Sequence, residues 1–299
     1  MSIQWPLVFF TLFVGLGCGI FVVSVALTEW CGKEKQIRSI SSILAVVALG
    51  VGGMSSTMHL GHPERMFGAL GHPTSGIFME STMMFLLGLV IIVYLLALRR
   101  KASDQTCKVI ATVGALLAVV LAFVNGDAYV MASIPAWNTI LLPVLYVASA
   151  AVMGCFGISV LIARIENTNT TIVSTVTAAE TAATMETAMT TTTAKIKRAT
   201  LIALAIQAVL IIAYLMHIAG APYPDATRSV TRVLTGNLAL FFWGGLVLIG
   251  LIIPAALMKK TESFSSVTSV KLGLACVLVG GVAFRVLMFL LGSSIKQFF

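Results

Sequence analysis

Eight long apolar runs constrain the fold of this 299-residue chain more than any other feature. About 20 residues of helix cross the ~30 Å hydrocarbon core of a bilayer. Lipid offers no partners for open backbone, and runs of this length without alternation predict helices. We therefore predict an all-α integral membrane protein, a bundle of eight transmembrane helices in a single polytopic domain over residues 1–299. The predicted spans are Trp5–Leu27, Ile40–Met58, Ile77–Leu98, Val109–Met131, Ile140–Ala163, Ala199–Ala219, Gly236–Leu257 and Val270–Leu291.

Composition excludes several other classes of protein. Hydrophobic residues make up 59% of the chain and charged residues 10%, with a mean hydropathy of +1.02. Soluble domains carry roughly a quarter charged residues, so a soluble enzyme and a disordered chain are both excluded. The net charge of +8 does not indicate nucleic-acid binding, because excess Lys and Arg in a membrane protein usually set its topology.

The loop charges predict the orientation of the bundle. Loops after helices one, three, five and seven carry 14 Lys and Arg residues, whereas the opposite face carries 4. Positively charged loops stay in the cytoplasm, so both termini are predicted to lie outside, in the periplasm. No Lys or Arg precedes Lys33, which disfavours a secretory signal because such signals begin with a basic region.

Residues 164–198, between helices five and six, have an unusual composition. Within this segment, residues 168–193 contain twelve threonines and few large apolar groups. Such a sequence has little apolar surface to bury, so we predict a Thr-rich cytoplasmic loop. The alternative is that its Ala, Glu and Met residues extend helix five or helix six into water.

Ionisable residues at membrane depth are the candidate functional groups, because burial of such a side chain in the bilayer costs free energy unless it has a partner. The topology brings His59, Glu80, Asp127 and Arg285 to a similar depth beneath the outer surface, and Arg65 follows just beyond helix two. A carboxylate beside an imidazole makes a proton-handling site, so His59 and Glu80 are the predicted pair. Asp127 and Arg285 are predicted to form a supporting ion pair.

The remaining histidines and the cysteines give weaker signals. His217 also lies at the outer end of a helix, so a bis-His haem with His59 stays open as an alternative. His62 and His72 fall in the external loop, where solvation is the simpler interpretation. The five cysteines are scattered, and none is spaced for an iron–sulfur cluster or a zinc site.

The segment around His59 resembles a known family. Residues 58–67 read Met-His-Leu-Gly-His-Pro-Glu-Arg-Met-Phe, which is similar to the M-L-H-L-G-x-P-x-R-A-F stretch of the membrane anchor subunits of dimethyl sulfoxide reductase, the DmsC family. Eight helices, external termini, a glutamate near the start of helix three and an opening Trp5-Pro6-Leu7 agree with that family. The Thr-rich segment departs from it and resembles an insertion.

The resemblance implies a function. Anchors of this family oxidise menaquinol and pass electrons to a four-cluster iron–sulfur subunit, which feeds a catalytic subunit carrying a molybdenum bis-pterin cofactor. It places the chain in the bacterial inner membrane, without haem, and assigns quinol binding to His59 and Glu80. Arg65 would orient the quinol or pair with the partner, and Asp127 and Arg285 would support the site.

Two other functions are compatible with the same residues. In a secondary transporter or ion carrier, Glu80, Asp127 and Arg285 would bind substrate or protons. No internal repeat is visible, however, and the polar residues cluster near one surface rather than at the midplane. A related anchor could also pass electrons from its partner into quinone, because the direction of electron flow depends on the reduction potentials of the quinone and the partner.

Overall fold

The computed structural model describes residues 3–32, 34–58, 76–173, 179–222, 224–260 and 267–292. Within these ranges eight helices are long and apolar enough to cross a membrane, which confirms the predicted number of spans. The spans are Trp5–Trp30, Lys35–Thr57, Phe78–Arg99, Asp104–Asp127, Leu141–Ile165, Thr192–Ala219, Leu240–Lys260 and Val267–Leu291. The protein is therefore a multi-pass, all-α membrane protein, and the sidedness of its termini stays a prediction.

The helices are numbered in chain order. They are α1 (Trp5–Val25), α2 (Arg38–Thr57), α3 (Gly76–Arg99), α4 (Asp104–Asp127), α5 (Leu141–Val173), α6 (Ala179–Ala219), α7 (Pro224–Leu234), α8 (Ile253–Lys260) and α9 (Val267–Leu291). Two stretches of the described chain are π-helical. One, Ala26–Trp30, continues α1, and the other, Leu240–Ile252, leads into α8.

Helices α1 and α5 form the centre of the bundle. Helix α1 packs against α2, α4, α5 and α9, and α5 also packs against α6. The two central helices approach closely at Gly19 and Gly154, where a Cβ atom on either glycine would collide with the backbone of the other helix. Small residues allow such close contact in lipid, where van der Waals packing drives helix association.

The path of the chain defines two ends of the bundle. The basic end holds the connections 31–37 and 100–103, where α1 joins α2 and α3 joins α4. The opposite end holds the first turns of α1, α3 and α5 and the last turns of α4 and α9. Helix α7, which was not predicted from the sequence, also follows α6 at the opposite end.

The predicted Thr-rich loop is largely helical instead. Helix α5 continues to Val173 and α6 begins at Ala179, so the structure agrees with the alternative interpretation of residues 164–198; residues 174–178 lie outside the described ranges. Two membrane spans already supply helical turns on either side, and elongation of an existing helix is much easier than nucleation. Ala, Glu and Met are also strong helix formers.

Candidate functional site

Three of the site residues predicted from the sequence fall within the described ranges, and all three lie at the opposite end of the bundle. Glu80 lies one turn into α3, Asp127 ends α4, and Arg285 lies in the second half of α9. His59 and Arg65 fall in residues 59–75, outside the described residues. The structure therefore places three of the five predicted site residues.

Arg285 is completely buried and is held by neutral groups. Its Nε donates to Thr11 Oγ1 at 2.8 Å, and its two terminal nitrogens donate to the carbonyl oxygens of Gly281 and Thr11, both at 3.0 Å. The guanidinium carbon also lies 5.1 Å from the centre of the Tyr146 ring, a cation–π arrangement. Among the described residues no carboxylate lies within ion-pair distance of Arg285. A guanidinium has five N–H donors, so these three bonds leave two for another acceptor.

The predicted ion pair between Asp127 and Arg285 is wrong. Asp127 is exposed at the last residue of α4. Asn125, two residues earlier, is only 1% exposed, and its Nδ2 donates to the carbonyl oxygen of Thr11 at 3.4 Å. Successive helical residues turn by about 100°, so the face of α4 that carries Asn125 meets α1, and Asp127 points about 200° away.

One set of contacts links Arg285, Thr11, Asn125 and Tyr146, and we call these four residues the Arg285 cluster. The Thr11 carbonyl oxygen accepts from both Arg285 and Asn125. The Tyr146 hydroxyl donates to the Met288 sulfur at 3.3 Å. The cluster therefore fixes α1, α4, α5 and α9 to one another at this end.

Glu80 brings a carboxyl group to the same end. Its side chain is partly buried, and its Oε1 atom is buried without a hydrogen-bond partner. It is close enough to Tyr129 and Tyr146 to interact with their phenol groups electrostatically. The Oδ1 atom of Asn125 is also buried and unpartnered. Buried oxygen atoms without a partner are uncommon in folded proteins, and here two of them occur at the same end.

Aromatic rings lie at the same end, and one of them, Tyr146, contacts Arg285. Tyr129 stacks on Tyr146 at 6.1 Å between ring centres and meets the edges of Trp137 and Phe289 at 5.9 and 5.7 Å. The Trp137 indole donates to the Met288 carbonyl oxygen at 2.9 Å. These four rings are buried and pack against one another at the same end of the bundle as Arg285.

The structure places His217 but leaves a haem with His59 untested. His217 is exposed near the end of α6, while its suggested partner His59 lies outside the described residues. Within the described part of the chain, no group of three or more His, Cys, Asp and Glu residues is arranged to hold a metal ion.

An ionic network at the basic end was not predicted from the sequence. Arg38 contacts both carboxylate oxygens of Glu29, with Nε–Oε1 at 2.7 Å and a terminal nitrogen to Oε2 at 2.9 Å. The Tyr94 hydroxyl donates to Glu29 Oε1 at 2.5 Å. The Glu29 side chain is 1% exposed. Arg38 is one of the 14 basic residues that predict the topology, and its position in the sequence gives no signal of a buried partner.

Comparison with known proteins identifies the family. The model of the NrfD polysulphide reductase family matches residues 1–295. The chain belongs to this family. It is also 29% identical over 142 residues to the C subunit of the anaerobic dimethyl sulfoxide reductase of Haemophilus influenzae. That match covers 46% of this chain and 51% of the relative, so the chain spans about half the length of the curated relative it matches. The motif around His59 resembles anchor subunits of dimethyl sulfoxide reductase, and this relative is the C subunit of such an enzyme. The predicted resemblance is therefore confirmed.

Proposed function

We propose that this protein is the membrane anchor subunit of a reductase complex of the dimethyl sulfoxide reductase type, and that it oxidises menaquinol at the opposite end of the bundle. Membership of the NrfD family and similarity to the C subunit of an anaerobic dimethyl sulfoxide reductase support the role of anchor. The observation that carries the quinol site is the unpartnered, buried Glu80 Oε1, which interacts electrostatically with the stacked pair Tyr129 and Tyr146.

Quinol oxidation requires groups that accept protons. A quinol releases two electrons and two protons, and its two hydroxyl groups need acceptors before they ionise. Glu80 Oε1 can accept a hydrogen bond and then the proton, because carboxylates act as general bases. Asn125 Oδ1 can accept a hydrogen bond but not the proton, which suits it to orientation of the ring.

His59 supplies the second proton acceptor in this proposal. The motif around it joins α2 to α3 in the sequence, and Glu80 lies one turn into α3. Arg65, in the same connection, orients the quinol or pairs with an acidic group on the partner. Asp127, which is exposed on another face of α4, has no role in this proposal.

Arg285 is assigned a supporting role. Its bonds to Thr11 hold the carbonyl group that in turn positions Asn125. A buried positive charge also favours the loss of protons from a nearby hydroxyl group. The quinol therefore meets an environment in which its deprotonated forms are stabilised.

Electrons leave the chain through a partner in this account. The structure describes all five cysteines, of which Cys18, Cys107 and Cys155 are buried. The five are far apart in sequence, and none is spaced to hold a cluster. We propose that a four-cluster iron–sulfur subunit docks at the opposite end, on the periplasmic side of a bacterial inner membrane. It would pass electrons to a molybdenum bis-pterin catalytic subunit.

The test compares two electron donors on membranes that hold the assembled complex. Menaquinol must use the anchor, whereas a reduced viologen dye donates directly to the hydrophilic subunits. We expect Glu80→Gln to lower menaquinol-dependent reduction of dimethyl sulfoxide about 100-fold, the lower range for removal of a general base. Dye-dependent activity should not change.

Asp104→Asn provides a matched control. Asp104 is an exposed carboxylate at the basic end, so its neutralisation should leave menaquinol-dependent activity intact. If Glu80→Gln retained full menaquinol-dependent activity in an assembled complex, the proposed site would be wrong.

A further inference from the structure

A lateral groove opens between α1 and α4 near the basic end. It encloses about 290 Å³ and is lined by aliphatic side chains of both helices, with Trp30 and Thr112 toward the basic end. The lining residues are Val22, Val25, Ala26, Trp30, Thr112, Ala115, Leu116 and Val119. Such walls favour a hydrocarbon occupant, because only apolar groups gain from burial there.

The π-helical turn Ala26–Trp30 shapes this groove. Ala26 and Trp30, the first and last residues of the turn, both line the groove. Glu29, which lies between them, points inward and contacts Arg38 and Tyr94. π-Helical turns inside α-helices occur frequently at functional sites. The turn thus directs a carboxylate into the protein and an indole toward the groove.

Trp30 is fixed at the mouth of the groove. Its Nε1 donates to Thr112 Oγ1 at 3.2 Å, which joins the end of the first span to α4, although the residue is 61% exposed. Trp side chains concentrate at the boundary between hydrocarbon and headgroups. The groove from Val22 to Trp30 is about 12 Å long at 1.5 Å per residue, which is close to the thickness of one leaflet of the hydrocarbon core.

A positive charge lies at the same mouth. Lys108 Nζ is 4.2 Å from the centre of the Trp30 ring. Among the described residues Lys108 forms no ion pair, because Asp104, one turn earlier on α4, contacts Lys35 at 2.8 Å and Arg38 at 3.3 Å. The groove therefore combines aliphatic walls with one cation at its polar end.

We propose that this groove binds one anionic phospholipid of the leaflet at the basic end. One acyl chain lies along the aliphatic walls, and the phosphate group contacts Lys108 above the Trp30 ring. Charge complementarity selects an anionic over a zwitterionic lipid, since Lys and Arg near a membrane surface favour anionic headgroups. This site is independent of the quinol site, which lies at the opposite end.

Native mass spectrometry of the purified protein tests the proposal. Delipidated protein in detergent is titrated with dioleoyl phosphatidylglycerol and, separately, with dioleoyl phosphatidylcholine. We expect one phosphatidylglycerol to bind about fivefold more tightly than phosphatidylcholine, the effect of one Lys at an anionic surface. Lys108→Gln should remove this preference.

Two further variants separate the contributions of charge and groove. Lys271→Gln neutralises an exposed lysine at the start of α9, away from the groove, and should keep the native preference. Ala115→Phe fills the groove and should weaken binding of both lipids. Because Lys108→Gln changes a side chain at the surface, it tests the proposal even if Ala115→Phe fails to fold.

Several outcomes would overturn the proposal. Equal retention of the two lipids by the native protein would exclude recognition of the phosphate charge. An equal effect of Lys271→Gln and Lys108→Gln would indicate a diffuse response to positive charge. A co-purified quinone displaced by Ala115→Phe, or a dimer lost in that variant, would assign the groove to another occupant.

Discussion

Removal of the Tyr94 hydroxyl group at the basic end measures how much the buried hydrogen bond to Glu29 contributes to stability. Tyr94 is 1% exposed, and its hydroxyl donates to the Glu29 carboxylate, whose other partner is Arg38. Tyr94→Phe deletes this bond and keeps the ring, which meets the edge of Phe21 at 6.1 Å. The cavity left by a single oxygen atom is small, so the lost hydrogen bond dominates the change.

The expected cost follows from the charge on the acceptor. Hydrogen bonds to charged groups contribute about 1.5–3 kcal/mol, and bonds between neutral groups contribute about 0.5–1.5 kcal/mol. Tyr94→Phe should therefore lower the free energy of unfolding by about 1.5–3 kcal/mol, or about 10- to 150-fold in the equilibrium constant. Tyr214→Phe is the matched control, because that buried hydroxyl donates to the neutral carbonyl group of Ala136 at 2.7 Å.

Unfolding in mixed micelles by increasing SDS, followed by circular dichroism, measures both variants. The Tyr94→Phe variant should lose more stability than Tyr214→Phe. In a double-mutant cycle with Glu29→Gln, the two substitutions should be non-additive, since Glu29→Gln replaces the charged acceptor of the same bond by a neutral amide oxygen. An equal or smaller loss for Tyr94→Phe, or simple additivity in the cycle, would refute a buried charged acceptor at Glu29.

Three further predictions use other contacts. Gly19→Ala should destabilise by about 1–3 kcal/mol or more, because a Cβ would meet the Ala150 backbone; Gly88→Ala, which faces open space, should be harmless in the same SDS titration. Thr11→Val should cost about 1–3 kcal/mol, because Arg285 Nε loses its acceptor, and an unchanged unfolding midpoint would exclude that role. Asn125→Leu should raise the KM for menaquinol about fivefold through loss of one hydrogen bond with dye-dependent activity unchanged, and an unaltered KM would remove Asn125 from the site.

The sequence predicted the spans well because bilayer thickness dictates them. An apolar run such as Trp5–Leu27 can cross the hydrocarbon core only as a helix. The first observed span, Trp5–Trp30, contains this run. The first and last residues of the helices were harder to predict. Helix α4, for example, begins at Asp104, five residues before its apolar run starts. Ser103 caps this helix by accepting from the Thr106 backbone N–H at 3.1 Å, which lets the helix begin among polar residues.

Residue partners could not be predicted from depth alone. Asp127 and Asn125 lie at nearly the same depth on α4, yet only Asn125 faces α1, and the rotation of α4 depends on packing such as that of Gly126 against Pro143. The pairing of Glu29 with Tyr94 joins residues 65 positions apart. Hydropathy carries no information on either contact, because both depend on how the helices pack together.

Binding of a quinol analogue tests the central claim most directly. The fluorescence of 2-heptyl-4-hydroxyquinoline N-oxide is titrated against membranes that hold the native protein or the variants His59→Ala, Glu80→Gln and His217→Ala. The account predicts saturable quenching by the native protein and by His217→Ala, and loss of saturation in His59→Ala and Glu80→Gln. Saturable binding that survives both site substitutions would contradict a quinol site at this end of the bundle.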